Sequence, residues 1–186
     1  MQKVTKRILL ALTCVFVLSV GAIWWHIPGV PDYSKPCAFC DPKVIQTHTF
    51  YEDDLVRGLC THKPVVPGHC MVVVKRHIEK IEDATDQEFV AIGRLIKKIN
   101  WAIQKINGPS AYQILQKNGI EAGQSVPHVH VHYIPNLVTG NTHAACYLQL
   151  KYLLSVLSSP ISKEKLAEWV GKMRQELERE GALDAK

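Results

Sequence analysis

The stretch Pro127-His128-Val129-His130-Val131-His132-Tyr133-Ile134-Pro135 limits this chain more than any other. One residue type alternating strictly over five positions is a period-two signal, which predicts a β-strand. His128, His130 and His132 then leave the same face, each roughly 6.5–7 Å from the next. Val129 and Val131 leave the other face and can enter a core. Three imidazoles in a row offer donors, acceptors or metal ligands, all titrating near neutral pH.

The surrounding sequence predicts the sheet that such a strand needs. Lys43 to Lys75 reads as antiparallel β structure. Val44–Tyr51 is rich in β-formers, Glu52-Asp53-Asp54 is a turn, and Leu55–Cys60 is a second strand. Pro67-Gly68 turns the chain into His69–Lys75, a near-continuous apolar strand. Thr85-Asp86-Gln87-Glu88 is a capping box, in which Thr85 and Glu88 satisfy each other's backbone donors. Phe89, Ile92, Ile96, Ile99, Ile103 and Ile106 then recur at steps of three and four. They predict one apolar helical stripe that ends at Asn107-Gly108-Pro109. Ala111–Lys117 returns as a strand, and Asn118-Gly119 opens the loop to the histidine strand. His143–Leu157 is apolar on most sides and is expected to be a buried helix. Ser162 is placed to cap a last helix with a face of Leu166, Trp169, Val170, Met173 and Leu177.

The N-terminus stands apart. Lys3, Lys6 and Arg7 precede an uninterrupted apolar run from Ile8 to Trp25, about the minimum for crossing a bilayer as a helix. It reads as a single-span membrane anchor or as a secretory signal peptide, with Val20 and Ala22 meeting the small-residue cleavage rule. Either way the basic end stays in the cytoplasm, and the rest of the chain is expected on the non-cytoplasmic side. Residues 27–36, with three prolines and no periodicity, form a linker. A net charge of +5 with no basic–aromatic stripe argues against a nucleic-acid partner. It suits mild attraction for phosphate-bearing ligands.

Cys37-Ala38-Phe39-Cys40 is a CxxC pair, half of a tetrahedral zinc site at a common spacing. An exported location would favour a disulfide instead. The absence of a thioredoxin-like βαβ pattern and the downstream histidines favour the metal.

Taken together, the CxxC pair, Pro67-Gly68-His69, Val74-Lys75-Arg76-His77, Asn118-Gly119, Ala122-Gly123-Gln124-Ser125-Val126 and the alternating histidines resemble the histidine-triad (HIT) family, in that family's order. The resemblance covers about Cys37–Pro135. It implies an α+β fold, a mainly antiparallel sheet with one long amphipathic helix and C-terminal helices packed on it, commonly as a homodimer. The expected organisation is an anchor or signal peptide over 1–26, the linker, a HIT-like domain over 37–136 and a C-terminal helical extension over 137–186.

The resemblance also implies a hydrolase or transferase of nucleoside-monophosphate conjugates that works through a covalent nucleotidyl-histidine; the alternatives are a catalytically weak nucleotide- or phosphate-binding module and a membrane-tethered zinc-containing interaction protein. By position His130 is the nucleophile, His132 supports the phosphate or leaving group, and Ser125 with the Gln124 and Val126 backbone donates to the α-phosphate. Asn118 matches an amide on the phosphate and leaving-group side, and His69 a supporting histidine near the nucleophile. Zinc-bearing members of the family imply a structural zinc on Cys37, Cys40, His77 and His128. Thr61 and His62 occupy the place where the family usually has an acid that binds the ribose and an aliphatic that packs on the base. Exchanging a charged acceptor for Thr61 would weaken ribose recognition by about 1–2 kcal/mol.

Overall fold

A five-stranded antiparallel sheet carries the histidine strand next to one edge. The strands are β1 (Thr49–Glu52), β2 (Val56–Cys60), β3 (Cys70–Val74), β4 (Ala111–Gln116) and β5 (His130–Asn136). They lie in the order β1-β2-β3-β5-β4. The computed structural model describes residues 33–138, 140 and 143–184. The expected anchor or signal peptide and most of the linker fall outside the described residues. Among those described, no helix is long and apolar enough to cross a membrane.

Alternation along the strands sorts the two faces of the sheet. Cys70, Val72 and Val74 of β3 join Val131 and Tyr133 of β5 on one face, in a single buried cluster with the long helix. Met71 and Val73 take the opposite face, opposite His132 and His130 in the β3–β5 register. β3 is buried on both faces, in keeping with its continuous apolar run.

The long helix is α2 (Asp86–Asn107), and its capping box forms as the sequence predicts. Ile92, Leu95, Ile99, Ala102 and Ile103 are buried on it, while Phe89 is 56% exposed. At 3.6 residues per turn Phe89 sits roughly a quarter-turn from the centre of that arc, which also takes in the small Ala91 and Ala102. The last helix, α4 (Lys163–Asp184), buries Leu166, Val170, Met173 and Leu177 against α2 and the β1 side of the sheet.

Two elements differ from the sequence expectation. Val44–His48 is not strand but part of a short helix, α1 (Pro42–His48); the strand begins at Thr49. Asp41 accepts a hydrogen bond from the Lys43 backbone and Pro42 fills the first helical position, and this N-terminal signature overrides the β preference of Val44, Ile45 and Thr47. The helix expected to be buried, α3 (Ala144–Leu154), buries only Leu148 among its described side chains, and Leu153 is 69% exposed. It packs through one side onto Val66 and Ile134, so the rest of its apolar surface faces outward.

Candidate active site and metal centre

A cleft of about 1290 Å³ opens over the His130/His132 face of the sheet. Phe39, Leu59, Met71 and Val126 line it near the histidines, with Ser125 and Gly123 from the loop ahead of β5. Its far wall is built from Tyr152, Ser155, Ile161 and one face of α4.

Each histidine of β5 and its approach is held in one tautomer by its partner. His130 Nδ1 donates to the His128 carbonyl at 2.6 Å, which leaves Nε2 with a free lone pair. His69 Nδ1 accepts from the Val65 backbone at 3.1 Å, so its proton is on Nε2, 2.9 Å from His132 Nδ1. His132 therefore accepts at Nδ1 and keeps an Nε2–H donor. Burial holds all three neutral near pH 7: it lowers His130, brings His69 down to about 4 and His132 to about 2. The His128 carbonyl opposes this at His130, while the Lys117 charge adds to it at both His130 and His132. The Phe39 ring lies 5.0 Å from that of His130 and closes one side of it.

On the other side, Cys37, Cys40, His77 and His128 bring one donor atom each within 4.8 Å of one another. Both cysteines are free thiols, not a disulfide. Cys37 Sγ lies 3.3 Å from His128 Nδ1, and Cys40 Sγ lies 3.4 Å from His77 Nδ1 and 3.6 Å from His128 Nδ1. A tetrahedral zinc with its usual bond lengths would need donor separations of roughly 3.3–3.8 Å. The four residues thus fit a metal. His128 Nε2 donates to the Val74 carbonyl at 2.6 Å, which turns Nδ1 toward the thiols and supplies the outer contact expected of a ligating histidine.

The HIT domain family model matches residues 42–137, just over half of the chain. The chain belongs to the HIT family. The asymmetrical bis(5'-nucleosyl)-tetraphosphatase of Schizosaccharomyces pombe is 35% identical to it over 91 residues, 49% of this chain and 50% of the yeast protein. Protein hit of Bacillus subtilis is 34% identical over 118 residues, 61% of this chain and 80% of that one. Among solved structures, the NitFhit protein of Caenorhabditis elegans superposes with a TM-score of 0.56 at 28% identity, covering 70% of this chain and 27% of that one. This HIT protein spans about half the length of the yeast tetraphosphatase it matches.

Of the residues expected to form the HIT site, His69, His130, His132, Ser125, Val126, Thr61 and His62 all line the cleft. Gln124 and Asn118 do not. Gln124 is buried, accepting from the Gly119 backbone at 2.6 Å and donating to the Glu79 carbonyl at 2.8 Å. It pins the loop that presents Ser125. Asn118 Oδ1 accepts from the Ile81 backbone at 3.0 Å and from Gln116 Nε2 at 2.7 Å. The Thr61 hydroxyl accepts from the Lys63 backbone at 3.2 Å, and the His62 ring stands edge-on to His48 at 5.9 Å.

The sequence reading missed Phe39, Lys117 and Tyr152. Phe39 is signalled only by its place inside the CxxC pair. Lys117 was available as the residue beside Asn118. Tyr152 has no local signal.

Proposed function

We propose that this HIT protein is a nucleotidyl hydrolase or transferase acting on nucleoside-monophosphate conjugates, phosphoramidates or phosphoanhydrides, through a covalent intermediate on His130. The observation that carries the reading is the His130 tautomer. With Nδ1–H engaged by the His128 carbonyl, the Nε2 lone pair is available at the floor of a cleft that also holds Ser125 and the His132 Nε2–H.

In the first step Nε2 attacks the α-phosphorus. The N–P bond forms, the bond to the leaving group breaks, and its electron pair departs with that group. The imidazole gains positive charge, which the His128 carbonyl offsets without taking the proton. His132 and Ser125 donate to phosphate oxygens as negative charge builds. Water, or another acceptor hydroxyl, then attacks the phosphorus; the N–P bond breaks, its electron pair returns to Nε2, and the proton of the attacking oxygen is released to solvent, leaving His130 neutral as before. A metal on Cys37, Cys40, His77 and His128 would be zinc with four protein ligands. With all four positions taken by protein it would supply no Lewis-acid chemistry and would serve to clamp the approach to β5 to the N-terminal segment. The S. pombe relative's name, a dinucleoside tetraphosphatase, supports a nucleoside-phosphate substrate. The apolar run Ile8–Trp25 is proposed to tether the protein to a membrane, and cell fractionation of the full chain tests it.

Acid-quench mass spectrometry after mixing with nucleoside phosphoramidates and dinucleoside polyphosphates tests the mechanism. The expected result is a nucleotidyl adduct on His130 that vanishes in His130→Ala, with turnover down at least about a thousandfold. A panel that yields neither adduct nor turnover would leave a nucleotide-binding module in its place.

A further inference from the structure

Among the described residues lining the cleft there are four side-chain cations, Lys63, Lys117, Lys163 and Arg174, and no carboxylate. Lys117 is the one set beside the histidines. Its ammonium donates to the Gly123 carbonyl at 3.4 Å and lies 5.5 Å from the centre of the Tyr152 ring. Gln116 pairs with Val131 at the end of the β4–β5 ladder, so Lys117 comes opposite His130. Gly123 is in the left-handed region at φ +80°, and a Cβ there would stand 3.2 Å from Lys117 Nζ. The glycine thus leaves room for the ammonium beside the loop that carries Ser125. Tyr152 comes from α3, beyond the residues matched to the HIT domain, so this chain's own extension supplies one side of the cradle.

We propose that Lys117, positioned by Gly123 and Tyr152, binds the leaving group and makes this enzyme select conjugates whose leaving group is itself a phosphate. The inference rests on the nucleotidyl-transfer reading above. When His130 displaces a phosphate, the P–O bond breaks and the electron pair leaves on an oxygen that already belongs to an anion. A fixed ammonium stabilises that growing charge and needs no proton transfer. When His130 displaces an amine, the nitrogen must collect a proton to leave neutral, and a fixed positive charge beside it gives no comparable advantage. Lys63, Lys163 and Arg174, the last also donating to the Thr49 carbonyl at 2.6 Å, add positive charge elsewhere in the cleft, so a longer polyphosphate meets further cations and no repelling carboxylate among the lining residues. Lys163 and Arg174 lie on one face of α4, eleven residues and hence about 16 Å apart along its axis, so the cations are spread along the cleft instead of gathered at one point.

The test compares kcat/KM for an adenosine 5'-phosphoramidate and for a diadenosine tetraphosphate in the full chain and in Lys117→Gln, Lys117→Arg and Tyr152→Leu. The expected wild-type preference is for the tetraphosphate. Lys117→Gln is expected to lower both rates, but the tetraphosphate rate roughly tenfold more, as fits a lost charge-assisted hydrogen bond. Lys117→Arg should restore most of the preference, and Tyr152→Leu should reduce it part-way. Thermal melting confirms that each variant is folded. A wild-type preference for the phosphoramidate, or equal losses on both substrates in Lys117→Gln, overturns the inference and leaves the His130 reading standing. Should neither substrate turn over, that reading falls, and equilibrium binding of adenosine mono- and triphosphate decides the anion preference. Leaving-group selection falls with it; a triphosphate advantage that shrinks in Lys117→Gln keeps only the polyphosphate-binding role of Lys117, and equal binding overturns that as well.

Discussion

His128 and His132 stand two residues either side of His130 and are held in opposite senses. His128 gives its Nε2 proton to the Val74 carbonyl and turns Nδ1 to two thiols. His132 accepts a hydrogen bond at Nδ1 from the His69 Nε2–H and keeps its own Nε2–H for the cleft. One side closes into a four-donor lobe, and the other stays open to a ligand. Three residues of the same kind at the same spacing thus offer a ring nitrogen to the thiols, a free Nε2 lone pair and an Nε2–H donor, each set by its other hydrogen-bond partner. Because each job is set by a different neighbour, each side can be broken without removing the other.

Breaking the metal side should have the largest effect on stability. The zinc proposed above would cross-link the N-terminal segment to the approach to β5, and Cys37→Ser or exhaustive chelation would remove that link. The expected cost is several kcal/mol, on the order of 10 °C in melting temperature for a chain of this size. Turnover measured well below that temperature should fall by less than about tenfold, since His130 keeps its own carbonyl partner. A chelated protein that melts with the untreated one would mean that the lobe holds no structural metal.

Breaking the cleft side should be milder for stability and sharper for rate. His69→Leu removes both the acceptor for the Val65 backbone and the donor that fixes His132. The expected loss is about 1–3 kcal/mol of stability and roughly tenfold or more in turnover. It should also change the response to acid. Burial holds His69 at about 4 when folded, against 6.5 when free, so the unfolded chain binds more protons between those values. Stability is full above pH 6.5 and is lost as pH falls toward 4, by up to roughly 3 kcal/mol from this residue. Urea titrations between pH 7 and pH 4 check this. A wild-type curve as flat as that of His69→Leu would count against a buried neutral His69.

The contrast between the two sides was partly readable in the sequence. Alternation was enough to put three histidines on one face, and the Thr85–Glu88 box and the α2 stripe were local patterns that the fold keeps. What could not be read was parity at the strand end. Lys117 and Asn118 are adjacent, and successive side chains leave opposite faces of an extended segment. A motif that matched the asparagine therefore pointed away from the cleft, while the lysine faced into it. The helix α1 was hidden for a different reason, because a capping aspartate and one proline outweighed three β-branched residues. The far wall formed by Tyr152 and α4 is a long-range assembly with no local pattern to announce it.

The smallest effect concerns Glu88, which ties the metal side to the start of α2. Its carboxylate accepts from the Thr85 backbone at 2.8 Å and from Arg76 at 2.8 Å, and Arg76 precedes the lobe residue His77. The Arg76 hydrogen bond is the main reason that the Glu88 carboxyl is held down at about 2. Stability from this group is present above the free value near 4.3 and is lost as pH falls toward 2, below the window in which His69 acts. Arg76 is half-exposed, so water screens the ion pair and most of the benefit lies in the cap. Glu88→Ala should therefore cost about 1 kcal/mol and Glu88→Gln less, because an amide oxygen still accepts from Thr85. Turnover at pH 7 should be unchanged in both. Melting curves at pH 7 and pH 3 separate the contributions: the gap between wild type and Glu88→Gln should narrow at the lower pH. A gap that stays constant would mean that the charge on Glu88 does not contribute to stability.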